Sequence, residues 1–538
     1  MDLTFRGAEY VRPEEDRDDA AFAVSVTPPL PAPALGRGWR GLLITVLAVG
    51  TVLRFLSFSH LWLDEALSVN IARLPLGDIP DALRHDGAPP FYYVLLHAWM
   101  RVFGEGTFAV RALSAVFGVT ALPLMWLAAR RVAGPRAAWA ALILLAASPF
   151  GIRYSTEARM YSLMVVLVLV AFLATSRLLE GGGRRPQLVL AVATGLTLLT
   201  HYWALYLLVA TVAALGHVAY HGSEPGRGGA RRALLAIGAG CLLFLPWVPS
   251  FLHQLAHTGA PWGRAAGFRT AFDAVTEFAG GYWNPGIPLG LLYFGLIVLA
   301  VLGWGVDRRR IVLELRPRAL AAALAAVAFG TLVLGVVASK VTGSAFASRY
   351  AAIFFPLVLL LVALGTEVFV HPGVFRALLA IAVVLGLWAS YPNVVRERTS
   401  AAAVASAIEE DAVPGDVVVY CPDQLGPSVS RELDAPGVVQ LTFPRAAHPA
   451  LVDWVDYRDT VDLARPFDFA QTALAAAGSN DIWVVWAPAY RTFGIKCQRM
   501  MEWLNEVRPG NRMLVRVSTK YFERPGLVRY RAAPRPAG

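Results

Sequence analysis

Charged residues are scarce in this chain. They make up 16% of 538 residues, whereas 56% are hydrophobic and the mean hydropathy is +0.52. A soluble domain carries about a quarter charged residues, so the shortage excludes an ordinary soluble globule. It is concentrated in apolar runs long enough to cross a bilayer, which takes about 20 residues each. Cysteine is scarcer still, at three, and none of the spacings is of a metal-binding type. Cys241 lies in an apolar run. Cys421 and Cys497, in the polar C-terminal part, either pair, if that part is extracytoplasmic, or stay as two thiols. No glycine-rich phosphate loop follows the C-terminal strands, which argues against nucleotide binding. The net charge of +10 comes from Arg clusters between apolar runs, the pattern of the positive-inside rule. Nucleic-acid binding is excluded as its meaning.

What remains reads as an α-helical polytopic membrane protein. Residues 1–40, acidic and then proline-rich, read as a disordered cytoplasmic tail. They are not a signal peptide, because a long polar stretch precedes the first apolar run. Arg37 and Arg40 before Gly41–Phe58 place the N-terminus inside and the following acidic loop, Ser59–Pro90, outside. Phe91–Phe103 is short for a span and is expected to be interfacial or re-entrant, which leaves Arg130, Arg131 and Arg136 in the cytoplasm. Further spans are expected near 107–128, 137–152, 160–179, 187–201, 203–220, 233–251, 286–306, 317–339, 349–370 and 374–391. With the first, that makes about eleven transmembrane helices plus interfacial ones, in a transmembrane domain over 41–391.

Parity then puts Arg184, Arg185, Arg227, Arg231, Arg232, Arg308, Arg309, Arg310 and Arg376 inside. It collects outside the acidic loop, RYSTEARMY (153–161), HYW (201–203), the loop 252–285, SKVTGSAFASRY (339–350) and residues 392–538. Those last residues read as helix 401–411, strand 416–422, helix 425–433, strand 438–444, helix 468–477, strand 481–488, helix 496–507 and two strands near 512–532. The alternation predicts a small extracytoplasmic α/β domain with a mainly parallel sheet.

Ionisable residues at a membrane face need a reason. Asp64 and Glu65 serve as N-cap and first-turn acid of a helix over 65–74, or as a general base beside an incoming hydroxyl. Both readings can hold, and Asp64 is the stronger candidate base. His85 and Asp86 either close a polar turn with Gly87 before a Pro-Pro helix start, or ligate a divalent cation or orient a phosphate. A lone His-Asp pair does not define a metal site. Arg153, Glu157 and Tyr161, spaced i, i+4, i+8, predict one helix face, bearing either an ion pair or functional groups, with Arg159 beside them. His201, Tyr202 and Trp203 suit an aromatic belt, His201 least comfortably. Arg349 and Tyr350 either snorkel or hold a phosphate with a guanidinium fork and a phenol; Lys340 is a weaker partner. His253, His257, Trp262, Arg264, Glu277, Tyr282 and Trp283 give the loop 252–285 a sugar-binding or lid character.

Taken together, WLDEA after the first span, HDGAPPFYYVLLHAWMRVFGEGTFAVRALSAVFG, RYSTEARMYSL, THYWALY and SRYAAIFFP, in that order over residues 41–370, resemble the GT-C glycosyltransferases. The nearest branch is the bacterial protein-mannosyltransferase and aminoarabinose-transferase type. The resemblance implies a sugar carried on polyprenyl phosphate and an acceptor handled in a cavity at the extracytoplasmic face of a bacterial plasma membrane. It implies Asp64 as base in a single inverting displacement, with Glu65 behind it and Glu157 as second acid. Arg349 would hold the donor phosphate, with Tyr350, Arg159, Tyr161 and Lys340 near it. His85, Asp86, His201, Tyr202 and Trp283 are left for acceptor or sugar.

Aminoarabinose-transferase relatives carry a lysine before the proline that precedes the second helix. Here Gly87 and Ala88 precede Pro89, so that phosphate contact comes from Arg84 or His85, or is absent. The Ala-, Arg- and Gly-rich composition suggests a high-GC bacterium, with mannose or arabinofuranose as sugar and an envelope glycan, lipid or protein as acceptor. Competing readings are a polyprenyl-diphosphate glycan transferase, an envelope lipid or glycan transporter, and a scaffold. The transporter reading lacks the internal repeat it would be expected to show.

Overall fold

The computed structural model describes residues 37–259, 269–282, 285–342, 347–488 and 490–532. Most of the expected N-terminal tail, together with Trp262, Arg264 and Trp283, lies outside the described residues. Among the described residues five helices are long and apolar enough to cross a membrane, or six if the bent pair Gly226–Leu242 and Leu245–His257 is one span. Gly41–Leu53, Gly286–Leu302 and Phe355–Thr366 are apolar but shorter. Large apolar side chains such as Ile44, Leu235 and Val384 face outward from these helices, as a lipid-facing surface requires.

Seven helices build the first part: α1 (Arg37–Leu53), α2 (Leu63–Arg73), α3 (Ile79–Asp86), α4 (Phe91–Phe103), α5 (Thr107–Ala146), α6 (Pro149–Ser155) and α7 (Tyr161–Leu179). A straight 40-residue helix would be about 60 Å long, twice the hydrocarbon core. α5 instead breaks at Gly134, with φ 86° and ψ −176°, before Pro135. The left-handed φ needs glycine and the proline bars a continued ladder. The break falls between the runs expected at 107–128 and 137–152. α4 has 13 residues, about 20 Å, and buries Tyr92, Tyr93, Leu96 and Met100 along one face. Gly87, at φ 84°, ends α3 and turns the chain into α4. Arg54 then locks α1 to the end of α5, donating to the carbonyls of Gly50, Leu145 and Ala146.

A small hairpin, β1 (Gly303–Gly305) and β2 (Ile311–Leu313), follows the helix Gly286–Leu302. The C-terminal part forms a five-stranded sheet from β3 (Val417–Cys421), β4 (Val439–Thr442), β5 (Ile482–Trp486), β6 (Asn511–Val515) and β7 (Gly526–Tyr530), in the order β4-β3-β5-β7-β6. Alternate residues of β3 and β5 enter two separate cores, one on each face, which is why both strands read as unbroken apolar runs. The sheet is mixed rather than mainly parallel. β3 pairs parallel with β4 and β5, while β7 pairs antiparallel with β5 and β6. β6 and β7 are joined without a crossover helix, and a parallel pair requires one. Cys421 and Cys497 form a disulfide.

The sheet domain rests on the loops of the helical part. Glu432 pairs with His60 at 3.0 Å, Asp453 with His85 at 2.9 Å and Asp456 with His257 at 3.1 Å. Asn70 Nδ2 donates to the Ala450 carbonyl at 2.7 Å. These contacts span α2, α3 and the helix 248–257, so the domain closes over the acidic loop.

Candidate functional site

The N-terminus of α2 brings two adjacent carboxylates to opposite fates. Trp62, not Asp64, occupies the N-cap; Asp64 and Glu65 lie in the first turn, where the helix dipole favours anions. Adjacent helical residues point about 100° apart, so one turns into the core and the other towards Arg349.

Glu65 is fully buried. Its carboxylate takes a fork from Arg111, Nε to Oε1 and Nη2 to Oε2 both at 2.7 Å, and the Ala158 N–H at 2.9 Å. Arg398 lies 3.6 Å away. Burial alone would raise the carboxyl's pKa, but Arg111 and then Arg398 overcome it and hold the group below the usual carboxylate range. Glu157 is buried in the same network, 2.9 Å from Arg153 and 3.8 Å from Arg398. The expected helix face carrying Arg153, Glu157 and Tyr161 does not form. α6, capped by Ser148 Oγ on the Gly151 N–H, ends at Ser155, and a non-helical turn precedes α7. That turn sends Glu157 towards Arg153 and Arg398, whereas Tyr161 begins α7 among other aromatic rings.

Asp64 faces a different set. Its Oδ2 lies 3.2 Å from Arg349 Nη2, and each side chain keeps about a sixth of its surface exposed, 16% and 17%. Arg349 enters on a short 3-10 helix, Ser348–Ile353. Its guanidinium is 5.8 Å from the ring centres of Trp62 and Tyr350. Burial works against its charge, but Asp64 and its neighbours raise the pKa. Arg159 Nη1 donates to Ser68 Oγ at 2.9 Å and to Tyr93 Oη at 3.3 Å, and reaches the Asp64 carbonyl at 3.4 Å. Tyr93 Oη donates to Asp86 Oδ2 at 3.0 Å. Burial raises the Asp86 carboxyl's pKa, Arg159 and Tyr93 oppose it, and Asp64 adds to it.

The rings of Tyr161, His201 and Tyr350 line up beside Arg349, His201 lying 6.3 Å from Tyr161 and 5.1 Å from Tyr350. His201 Nδ1 accepts the Trp203 N–H at 3.1 Å. Burial, Arg159 and Arg349 lower its pKa to about 3, so the ring is neutral and carries its proton on Nε2.

Asp64, Arg349, Tyr350, Arg159, Tyr161, His201 and Asp86 therefore come together, while three other described candidates stand elsewhere. His85 turns to Asp453 of the sheet domain. Tyr202 bonds Gln254 and accepts from Trp247 Nε1 at 2.9 Å, and Gln254 in turn donates to the Leu83 carbonyl at 2.7 Å. Tyr202 thus braces the scaffold. Lys340 is exposed on the last turn of the helix Ala319–Thr342, and Trp283 lies outside the described residues. Among the described residues no three metal-ligating side chains gather.

Sequence reasoning missed Arg111, Arg398, Ser68 and Tyr93. Arg111 carried a signal, a cation inside an apolar span. Arg398 carried none, because its partners are some 240 to 330 residues away.

A family model described as Dolichyl-phosphate-mannose-protein mannosyltransferase matches residues 87–249. No curated protein matches the chain. The structure is similar to ArnT from Cupriavidus metallidurans in the apo state, with TM-score 0.58 and 16% identity over 93% of this chain and 99% of that one. The same protein bound to undecaprenyl phosphate gives TM-score 0.56 and 15% identity over the same shares. The likeness read from the short motifs is a likeness of fold: this chain and ArnT share one architecture over 93% of this chain.

Proposed function

We propose, starting from that shared fold and the matching family model, that the protein is an integral membrane glycosyltransferase of the GT-C type. It moves a mannose- or arabinofuranose-like sugar from a polyprenyl-phosphate carrier to a hydroxyl of an envelope glycan, lipid or protein. The undecaprenyl phosphate bound by the ArnT structure supports a carrier of that chemistry. The observation that carries the reading is the pairing of Asp64 with Arg349 at 3.2 Å, beside Arg159, on the side of α2 away from the sealed Glu65.

In this mechanism the acceptor oxygen attacks the anomeric carbon and its proton passes to Asp64. The bond from that carbon to the phosphate oxygen breaks, and the configuration inverts. Negative charge grows on the departing polyprenyl phosphate, where a preorganised guanidinium acts best. An arriving phosphate competes with Asp64 for Arg349, so donor binding loosens the ion pair and leaves the carboxylate available to the acceptor proton. Glu65 and Glu157, held by three arginines, set the shape of the site rather than moving protons.

The cavity is assigned to the extracytoplasmic face of a plasma membrane, with the N-terminus inside. Arg clusters on the opposite loops and a disulfide in the sheet domain, a bond that persists in oxidising compartments, support this.

The test is a transfer assay with radiolabelled polyprenyl-phosphate sugars and an envelope fraction as acceptor, comparing the wild type with Asp64→Asn. Loss of about 10³-fold in rate is expected, the scale of a general base. Transfer by the variant at the wild-type rate sinks the assignment.

A further inference from the structure

One carboxylate of the sheet domain reaches into the site from far along the chain. Glu523 lies just before β7, yet its Oε1 accepts the N–H of Leu63, 460 residues earlier, at 3.2 Å. Leu63 is the first residue of α2 and Asp64 the second. The first N–H groups of a helix have no partner within it, and an oxygen on the N-cap side chain usually supplies one. Here the N-cap is Trp62, which makes no side-chain cap bond. A carboxylate is well suited to the place, because the helix N-terminus carries partial positive charge.

Glu523 is itself firmly held. Its N–H donates to the Arg398 carbonyl at 2.8 Å and its carbonyl accepts the Ser400 N–H at 3.3 Å. It is 3% exposed. The preceding residue, Phe522, packs edge-on against Trp62 with ring centres 5.1 Å apart, and Trp62 lies under Arg349. Residues 522–523 thus grip the two residues immediately before Asp64.

We infer that Glu523 is a positioning residue for Asp64: it caps α2 from the C-terminal domain and fixes the turn that presents the proposed base to Arg349. The inference rests on Asp64 being that base. Its consequence is that the sheet domain is part of the active site's geometry and not a separate module.

The test uses the full chain in lipid nanodiscs, with polyprenyl-phosphate [14C]mannose and polyprenyl-phosphate [14C]arabinofuranose as probes and an envelope fraction as acceptor. Glu523→Gln keeps the reach, since an amide oxygen accepts the same N–H. Glu523→Asp keeps the charge but is one methylene too short. E523D is expected to lower kcat about ten-fold or more with donor KM little changed, because small misplacements of a reacting group are costly. E523Q is expected to stay within about three-fold of the wild type on the same ground.

Wild-type turnover by E523D overturns the inference, and so does an E523Q as slow as E523D, which would show that an acceptor oxygen at the right reach does not suffice. If E523D does not fold, Leu63→Pro deletes the donor instead. Proline is tolerated at the first helical position, and Trp62 already has the extended backbone, φ −87° and ψ 173°, that a following proline demands. L63P is expected to lose kcat as E523D does, and wild-type turnover by L63P overturns the inference. Asp64→Asn in the same preparation separates the two ideas. An active D64N refutes the base assignment; an inactive D64N beside a wild-type E523D refutes the positioning role alone.

Discussion

Removing Glu65 should unfold the protein far more readily than removing Asp64, although the two are neighbours. Glu65→Ala deletes three hydrogen bonds to a buried charge, two from Arg111 and one from Ala158. At about 1.5–3 kcal/mol each, their sum overstates the loss. Arg111 keeps the carbonyls of Ser59 at 2.6 Å and His60 at 3.1 Å, and Arg398 keeps Thr156. What remains is the buried Arg111 guanidinium without its anion, with Arg398 left to Glu157 at 3.8 Å, and breaking a buried pair in this way costs about 3–5 kcal/mol. Asp64 is partly exposed and touches one cation, so Asp64→Asn should stay within about 1 kcal/mol of the wild type.

The assay is thermal unfolding of the detergent-purified full chain, with transfer activity measured in parallel. E65A should melt several degrees lower, and D64N should melt normally and fail to transfer. The double variant Glu65→Ala/Arg111→Met should be less damaged than the sum of its parts, because it leaves one fewer charge unpaired. Equal midpoints for E65A and wild type, or strict additivity in the double variant, would refute the reasoning.

Arg349→Gln should lower donor kcat/KM by about 10²–10³-fold, and Arg349→Lys should recover only part of it, since an ammonium lacks the fork; steady-state kinetics with the transferred sugar decide this. Cys497→Ser opens a loop of 76 residues and should destabilise the sheet domain by about 4 kcal/mol, with thiol reductant reproducing the loss in the wild type and leaving the variant unmoved. His60 has its pKa raised from 6.5, first by its hydrogen bond to Glu432 and against burial, with Glu397 helping and Arg111 opposing. Its contribution is therefore complete below pH 6.5 and disappears as pH rises through the raised value. The midpoint difference between wild type and His60→Gln should accordingly be present at acid pH and vanish at alkaline pH, and it should be small, because the pair is part-exposed.

The sequence by itself determined the character of each segment, since a run of apolar residues or a period-2 strand states its own surroundings. The helices from 161 to 221, the short helix 91–103 and every strand of the C-terminal sheet were legible on that ground. So was the gathering of Asp64, Arg159, Tyr161, His201 and Arg349 at one face, because loops that alternate across a membrane must share a side. The break in α5 was legible too, because two separate apolar runs, 107–128 and 137–152, were expected there. Periodicity failed at 153–161, where a helix ends after Ser155 and the i+8 relation loses its meaning. It also misjudged the sheet, because strand direction depends on the connection and not on the strand.

Only the tertiary structure decided which of two adjacent acids is sealed by Arg111 and Arg398 and which meets Arg349. Only it turned His85 to Asp453 and brought Glu523 to the start of α2. Pattern along a chain reports burial and period, which are local. Charge pairing depends on which distant groups arrive within a few ångströms, and that is settled when the domains pack.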